Sequence, residues 1–298
     1  MIPLPKSRNR RRMDADSMRR AAPLRKVNRT TGTRRARTSG RAMPALVLFL
    51  AALTASAAEF RVVSFNVNLH NKALEETIKR IAEQDADVVL IQESTDRFER
   101  AARRLLHDTH PHAWFAGEDL ASGGGFAALS RFPVTDRKFI RRSTGAFGAQ
   151  KFDVTVGGET VQFVNIHLNP AGRPRPHDRP AAIHAMMLNN KPQVLELRNI
   201  LKQCRTNAPT VISGDLNSHS SQSAYKQLTS RGFIDAHLSV NAKAKGIPTW
   251  RMTLEGTRLQ ARFDYVFHND RLKTTAFRVV ENELSDHALL NCTLRLKD

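Results

Sequence analysis

Ser285-Asp286-His287, followed by the apolar run Ala288-Leu289-Leu290-Asn291-Cys292-Thr293-Leu294, decides how the rest of this chain is read. An acid and an imidazole stand side by side just before a strand. Neighbours in an extended chain point in different directions, so the two cannot act as one dyad. They can instead offer a carboxylate to a metal and an imidazole to a water or substrate. Taken alone, the triplet fits many loops. Four further polar signatures at strand ends give it weight: Ser64-Phe65-Asn66-Val67, Ile91-Gln92-Glu93, Asn165-Ile166-His167-Leu168 and Ser213-Gly214-Asp215-Leu216-Asn217.

Around these signatures the pattern alternates between the two regular periods. Residues 60–67 read as a strand, and Leu74, Ile78, Ile81 and Ala82 share one helical face. Residues 87–92 (DVVLIQ) form a continuous apolar strand of the kind buried on both faces. Phe98, Ala101, Ala102, Leu105 and Leu106 mark a second helix. Gly123-Gly124-Gly125 breaks the chain, and strands follow at 126–130, 134–140, 152–156 and 160–167, with Gly157-Gly158 as a hairpin signal. Residues 169–180 contain four prolines and read as a loop. A helix around Val194, Leu197 and Leu201 precedes strands at 210–213, 262–268, 275–280 and 288–296. Strands bunched without helices between them exclude a purely doubly wound sheet. Two sheets packed face to face with helices outside are expected, in one domain over residues 59–298.

The net charge of +19 is unevenly spread. Residues 1–42 hold 14 Lys/Arg against two Asp, which leaves 33 against 26, or +7, for the remainder. The first segment has too few apolar residues to order itself, so a disordered basic arm is expected. Residues 43–58 change character: an uncharged apolar run, 45–53, ends in Thr54-Ala55-Ser56-Ala57-Ala58. Small residues there suit a signal peptidase, and the run is too short for a bilayer core of about 30 Å. A secreted or periplasmic protein, cut before Ala58 or Glu59 and without a membrane span afterwards, is the expectation. A basic arm gripping nucleic acid inside the cell leaves the cleavage pattern unexplained. Cys204 and Cys292 allow one bridge or two buried thiols, and both readings stay open.

Each signature ends an apolar strand in polar residues, and strand ends can converge on one cleft. Asp215 and Asn217 are two apart and share a side in an extended chain; a carboxylate and an amide oxygen there suit a hard cation or a phosphate. A turn capping residues 218–220 accounts for the same residues. Glu93 ends a buried strand, where a charge is costly unless paired or metal-bound, or else emerges into solvent. Asn66 reads as a ligand or a turn residue, and His167 as structural or catalytic. Asp264 lies inside the apolar strand 263–267 and needs a partner. Histidine is the natural one, because a carboxylate fixes its tautomer and raises its basicity.

The ordered set SFNV, LIQE, ALSRFP (residues 128–133), NIHL, GDLN, TW (Thr249-Trp250), FDYVF and SDH resembles the endonuclease/exonuclease/phosphatase superfamily, with its DNase I-like fold, from about Phe60 to Leu296. The resemblance implies a four-layer α/β sandwich: two central mixed, mostly antiparallel sheets flanked by helices, with a metal cleft at one edge. It makes Glu93 the principal Mg2+ ligand, with Mn2+ or Ca2+ as substitutes, helped by Asn66. Asp215 and Asn217 would position the nucleophile and phosphate. His287, held by Asp264, would be the base or phosphate-orienting imidazole, with Asp286 on the metal or phosphate. His167 would be the second histidine of the DNase I and sphingomyelinase branches. It argues against the abasic-site endonucleases, which have tyrosine in that region. Those enzymes also carry Asp where this chain has Asn68, which weakens a second metal ligand.

The expected protein is a secreted, monomeric, metal-dependent phosphodiesterase acting on nucleic acid. The net charge of +7 fits a polyanion, and Arg173, Arg175 and Arg179 could contact its backbone or simply be solvated. A sphingomyelinase-like lipid phosphodiesterase and a phosphatase of inositol or sugar phosphates are alternatives. The complete set of Glu93, Asp215, Asp264 and His287 argues against a non-catalytic binding module.

Overall fold

The computed structural model describes residues 58–117, 124–144, 147–170, 191–254 and 256–297. The basic arm, the apolar run of residues 43–57, and Arg173, Arg175 and Arg179 lie outside the described residues.

The first half runs β1 (Glu59–Asn66), α1 (Leu74–Ala82), β2 (Val88–Ser94), α2 (Asp96–Leu105), β3 (His112–Ala116), β4 (Gly125–Ser130), β5 (Val134–Arg141), β6 (Gly148–Val156) and β7 (Glu159–His167). The second runs α3 (Lys191–Leu201), β8 (Thr210–Asp215), α4 (Ser223–Thr229), β9 (Ile234–Asp235), α5 (Ala236–Val240), β10 (Trp250–Leu254), β11 (Thr257–Ala261), β12 (Asp264–His268), β13 (Leu272–Val280) and β14 (Leu289–Leu296). They form two six-stranded sheets, β13-β14-β1-β2-β4-β3 and β5-β6-β7-β8-β12-β9, and β10 and β11 make a separate hairpin. Each large sheet has one parallel pair, β1 with β2 and β7 with β8, and is otherwise antiparallel.

Period-two alternation explains the layers. On β1 and β2, Phe60, Val62, Val88 and Leu90 face Phe152, Phe163, Val211 and Val266 of the other sheet in one buried cluster. Phe60 and Phe163 meet edge to face across the sheets, with centroids 6.1 Å apart. The opposite faces are covered by helices. Val63, Phe65, Val89 and Ile91 bury Ile78 and Ile81 of α1 and Phe98 of α2. Val164, Ile166 and Ile212 bury Leu197 of α3 and Leu228 of α4. The result is the expected four-layer sandwich. Helix α2 begins where Thr95 accepts the Phe98 N–H, an N-cap that orders the turn directly after Glu93.

The turn between β6 and β7 is the Gly157-Gly158 hairpin, with φ of +57 and +88, values that glycine tolerates without strain. Strand β3, the β10–β11 hairpin, β9, α4 and α5 are not foreseen from the pattern. No residue of β3 is fully buried, so its apolar alternation is weak. Both cysteines are free. Cys292 lies in the core between the sheets and Cys204 packs beneath α3, so they belong to different layers.

Candidate active site

Following the inward-facing file of each central strand towards one edge, apolar residues give way to polar ones: Val62, Ser64, Asn66 on β1 and Val88, Leu90, Gln92 on β2. On β7 the file is Phe163, Asn165, His167, and on β8 it is Val211, Ser213, Asp215. The inner ends of both parallel pairs therefore open on one cleft, the place where open α/β sheets bind ligands. Behind it, a buried amide ladder ties the sheets together. Gln92 Nε2 donates to Asn165 Oδ1 at 2.6 Å, and Asn165 Nδ2 donates to Gln150 Oε1 at 3.1 Å.

Strand register sets the catalytic row. His167 pairs with Asp215, and Asp215 with Asp264, so three functional side chains stand abreast on β7, β8 and β12. Gly214 lets β8 approach β7 there: its φ is +138, and a Cβ would lie 1.9 Å from the Ile166 carbonyl oxygen. His287 enters from the loop before β14. Its Nδ1 is 2.9 Å from Asp264 Oδ2, and its Nε2 is 3.7 Å from Asp215 Oδ2. His167 Nε2 approaches the same Asp215 oxygen at 3.5 Å, and Phe147 stacks flat on the His167 ring, centroids 3.7 Å apart. Asp215 thus sits between two imidazoles, all three buried.

The first sheet supplies the remaining carboxylates. Strand parity would send Glu93 outward with Val89 and Ile91. A bulge between Gln92 and Ser94, with Glu93 at φ +58, turns its side chain back to the cleft. Gly124 makes room, because a Cβ there would lie 2.8 Å from the Glu93 Cα. Asn66 Nδ2 bridges Glu93 Oε1 at 3.0 Å and Asp215 Oδ2 at 3.2 Å, and Leu69 N donates to Glu93 Oε2 at 2.8 Å. Asp286 diverges from His287, as expected. Its oxygens receive Asn68 Nδ2 at 2.8 Å and Trp250 Nε1 at 3.1 Å. Ser285 Oγ ties the loop down by donating to the Asn66 carbonyl at 2.8 Å.

Asn217 departs from the extended-chain expectation. Its φ of +46 takes it out of the strand direction. Its backbone N–H donates to Asp215 Oδ1 at 2.7 Å, and its side-chain nitrogen donates to the Leu168 carbonyl at 2.9 Å. It therefore fixes Asp215 rather than lying beside it. Thr249, Trp250, Asn68 and Phe147 have site contacts that sequence reasoning left without a role. The Thr249-Trp250 pair belongs to the ordered motif set, but only pairing of Trp250 with His287 across a β-bridge brings it to the cleft.

The two histidines are driven apart electrically. Burial lowers His167, and the neighbouring His287 charge lowers it further, to about 3. Burial also opposes charge on His287, but Asp264 and Asp215 outweigh it and push the imidazole up to about 10. Burial raises the Asp215 carboxyl to about 8, against the His287 charge and with help from Asp264.

The donor set fits a hard divalent cation. Carboxylate oxygens of Glu93 and Asp215 converge on the Asn66 amide nitrogen, and carboxylate and amide oxygens are the ligands that Mg2+ or Ca2+ takes. Asp215, Asp264 and His287 also bring one ligand atom each within 4.8 Å of one another, but His287 Nδ1 is already committed to Asp264.

The sandwich and the acid–imidazole cluster at its edge define a phosphoesterase of the DNase I-like fold class. The chain belongs to the Endonuclease/Exonuclease/phosphatase family, whose sequence pattern matches residues 63–287. Members are hydrolases acting on phosphate ester bonds and are generally divalent-metal dependent. No curated protein matches the sequence. Among solved structures, an endonuclease/exonuclease/phosphatase from Beutenbergia cavernae is similar at 21% identity and TM-score 0.63, covering 80% of this chain and 72% of that one. TDP2 from Caenorhabditis elegans is similar at 20% and 0.58, covering 80% and 74%. D. rerio TDP2, complexed with single-strand DNA product, is similar at 14% and 0.61, covering 80% and 99%.

Proposed function

We propose that this protein is an exported, divalent-metal-dependent phosphodiesterase that cleaves nucleic acid. The observation that carries the reading is Asp215 Oδ2 standing between two imidazoles, His167 Nε2 at 3.5 Å and His287 Nε2 at 3.7 Å. Glu93 and Asn66 would hold Mg2+, or Mn2+ or Ca2+ in its place, which when bound neutralises phosphoryl charge as a Lewis acid.

The chain's own groups carry the protons. With Oδ1 fixed by the Asn217 N–H, Asp215 in its ionised form accepts a proton from the attacking water at Oδ2, the oxygen that Asn66 Nδ2 also approaches at 3.2 Å. The water oxygen bonds to phosphorus as the ester P–O bond breaks. His287, charged and oriented by Asp264 at 2.9 Å, gives its Nε2 proton to the leaving oxygen. Asp215 then returns its proton to His287 across the 3.7 Å gap, restoring both groups. His167, neutral and covered by Phe147, orients Asp215 and the phosphoryl oxygens. Little covalent work is needed beyond this positioning. Asp286 anchors the Asn68 and Trp250 side of the cleft.

A nucleic-acid substrate is supported by the excess positive charge of residues 43–298 and by the DNA product carried by the D. rerio relative. Export is supported by the ASAA pattern, which immediately precedes the first strand at Glu59. Among the described residues no helix is long and apolar enough to cross a membrane.

The decisive experiment incubates the chain from Glu59 onward with plasmid DNA, RNA, sphingomyelin and inositol phosphates, in Mg2+ and in EDTA. Cleavage of DNA or RNA that EDTA abolishes is the expected result. Hydrolysis of sphingomyelin or inositol phosphates alone would transfer the protein to another branch, and full activity in EDTA would remove the metal from the mechanism.

A further inference from the structure

Helices α1 and α2 pack side by side next to the cleft, joined by a 2.5 Å ion pair between Arg104 and Glu75. Their exposed faces enclose a groove of about 590 Å3 lined by Lys72, Glu75, Glu76, Arg97, Arg100 and Arg104, with no aromatic residue. Lys72 also lines an adjoining hollow of about 410 Å3 that reaches Asn68 and Asp286 in the catalytic cleft. Lys72 therefore borders both the groove and the hollow that reaches the cleft.

Arg97 follows Glu93 by four residues, and Arg97, Arg100 and Arg104 fall on one face of α2. Among the described residues, Lys72, Arg97 and Arg100 have no carboxylate partner, and only Glu76 opposes them as an unpaired acid. From Arg97 to Arg100 the helix axis advances roughly 4.5 Å, close to the axial spacing of about 3.4 Å between successive phosphates on one strand of a duplex. Cations without stacking partners read phosphates and not bases.

We propose that Lys72, Arg97 and Arg100 form a phosphate track that receives the nucleic-acid strand flanking the scissile bond. The enzyme then prefers polymers over short phosphate esters and binds them without regard to sequence. The inference rests on the nucleic-acid reading given above and adds the surface that would make length matter.

The test compares the wild type with the triple variant Lys72→Ala, Arg97→Ala, Arg100→Ala. Two substrates are used, an oligonucleotide of about 20 nucleotides and the small diester bis(4-nitrophenyl) phosphate, across a range of salt. All three side chains are exposed, so thermal unfolding should be unchanged. The variant should hydrolyse the small diester like the wild type. On the oligonucleotide its KM should rise roughly tenfold or more in about 50 mM salt. The slope of log KM against log salt should fall by about 2, because each lost phosphate contact removes roughly 0.7–0.9. An unchanged slope and KM, with the wild type still cleaving the oligonucleotide, would overturn the track alone. A wild type that cleaves the small diester but no nucleic acid would overturn the substrate reading instead. Loss of binding to anionic vesicles with an unaffected oligonucleotide KM would assign the groove to a lipid surface and also overturn the proposal.

Discussion

Thr249 locks Asp264 in place: its hydroxyl donates to Asp264 Oδ2 at 2.6 Å and accepts the Asp264 N–H at 2.9 Å and the Phe263 N–H at 3.0 Å. A hydroxyl has one donor and two acceptor sites, and all are used at a residue with no solvent exposure. Thr249→Val keeps the shape but leaves two buried N–H groups unpaired. It should lower unfolding free energy by about 2 kcal/mol or more, measured by urea denaturation. Turnover should fall less than in Asp264→Asn, since the imidazole keeps its carboxylate. A variant as stable as wild type would show that these bonds are not what holds Asp264.

Asp264 and His287 should behave as one unit, given their 2.9 Å contact in a buried site. Asp264→Asn and His287→Ala should each lower turnover by roughly 10²–10⁴-fold, the scale for losing a positioned acid–base group. The double variant should be little worse than the worse single one. Additive losses in the cycle would assign Asp264 a separate, structural task.

Glu93→Gln keeps the side chain's size and its acceptor oxygen but removes the charge that a hard cation needs. Mg2+ binding, read by calorimetry, should weaken by at least roughly 10–100-fold, the loss seen when even the surroundings of a ligand are disturbed. The unfolding midpoint in EDTA should change little, because Glu93 is only half-buried. Unaltered Mg2+ affinity in the variant would place the metal elsewhere.

Acid should destabilise the fold through histidines outside the site. Burial lowers His110, His268 and His237, the last to about 4, with Arg262 adding to the effect there. Their folded values lie below the ordinary 6.5, so the unfolded chain binds more protons between these values. Stability is then fully present above about pH 6.5 and is lost as pH falls through the folded values. His237→Phe would keep the stack on Phe277 and remove one titrating ring. Its urea midpoint should fall less steeply than wild type between about pH 6.5 and 4; an identical profile would clear His237 of any part in the acid limb.

Strand periodicity and the polar residue that ends each run are local properties. The sequence by itself therefore determines that Asn66, Glu93, His167 and Asp215 stand at strand ends beside a two-sheet core, that Asp264 lies in an apolar strand and needs a partner, and that Asp286 and His287 must serve different partners. The weakly alternating β3 and the β10–β11 hairpin escape such a reading, because partly exposed strands carry no clear periodic signal. Only the tertiary structure decides which residues meet. Register across β7, β8 and β12 puts His167, Asp215 and Asp264 abreast, and register depends on pairing between segments far apart in the chain. A bulge at Glu93 and a left-handed φ at Asn217 reverse what two-residue periodicity would assign to those side chains. Thr249 reaches Asp264 because the chain from residues 249 to 262 folds back on itself as a hairpin. Such choices depend on backbone torsions stabilised by neighbours from other strands, and a linear pattern carries no record of them.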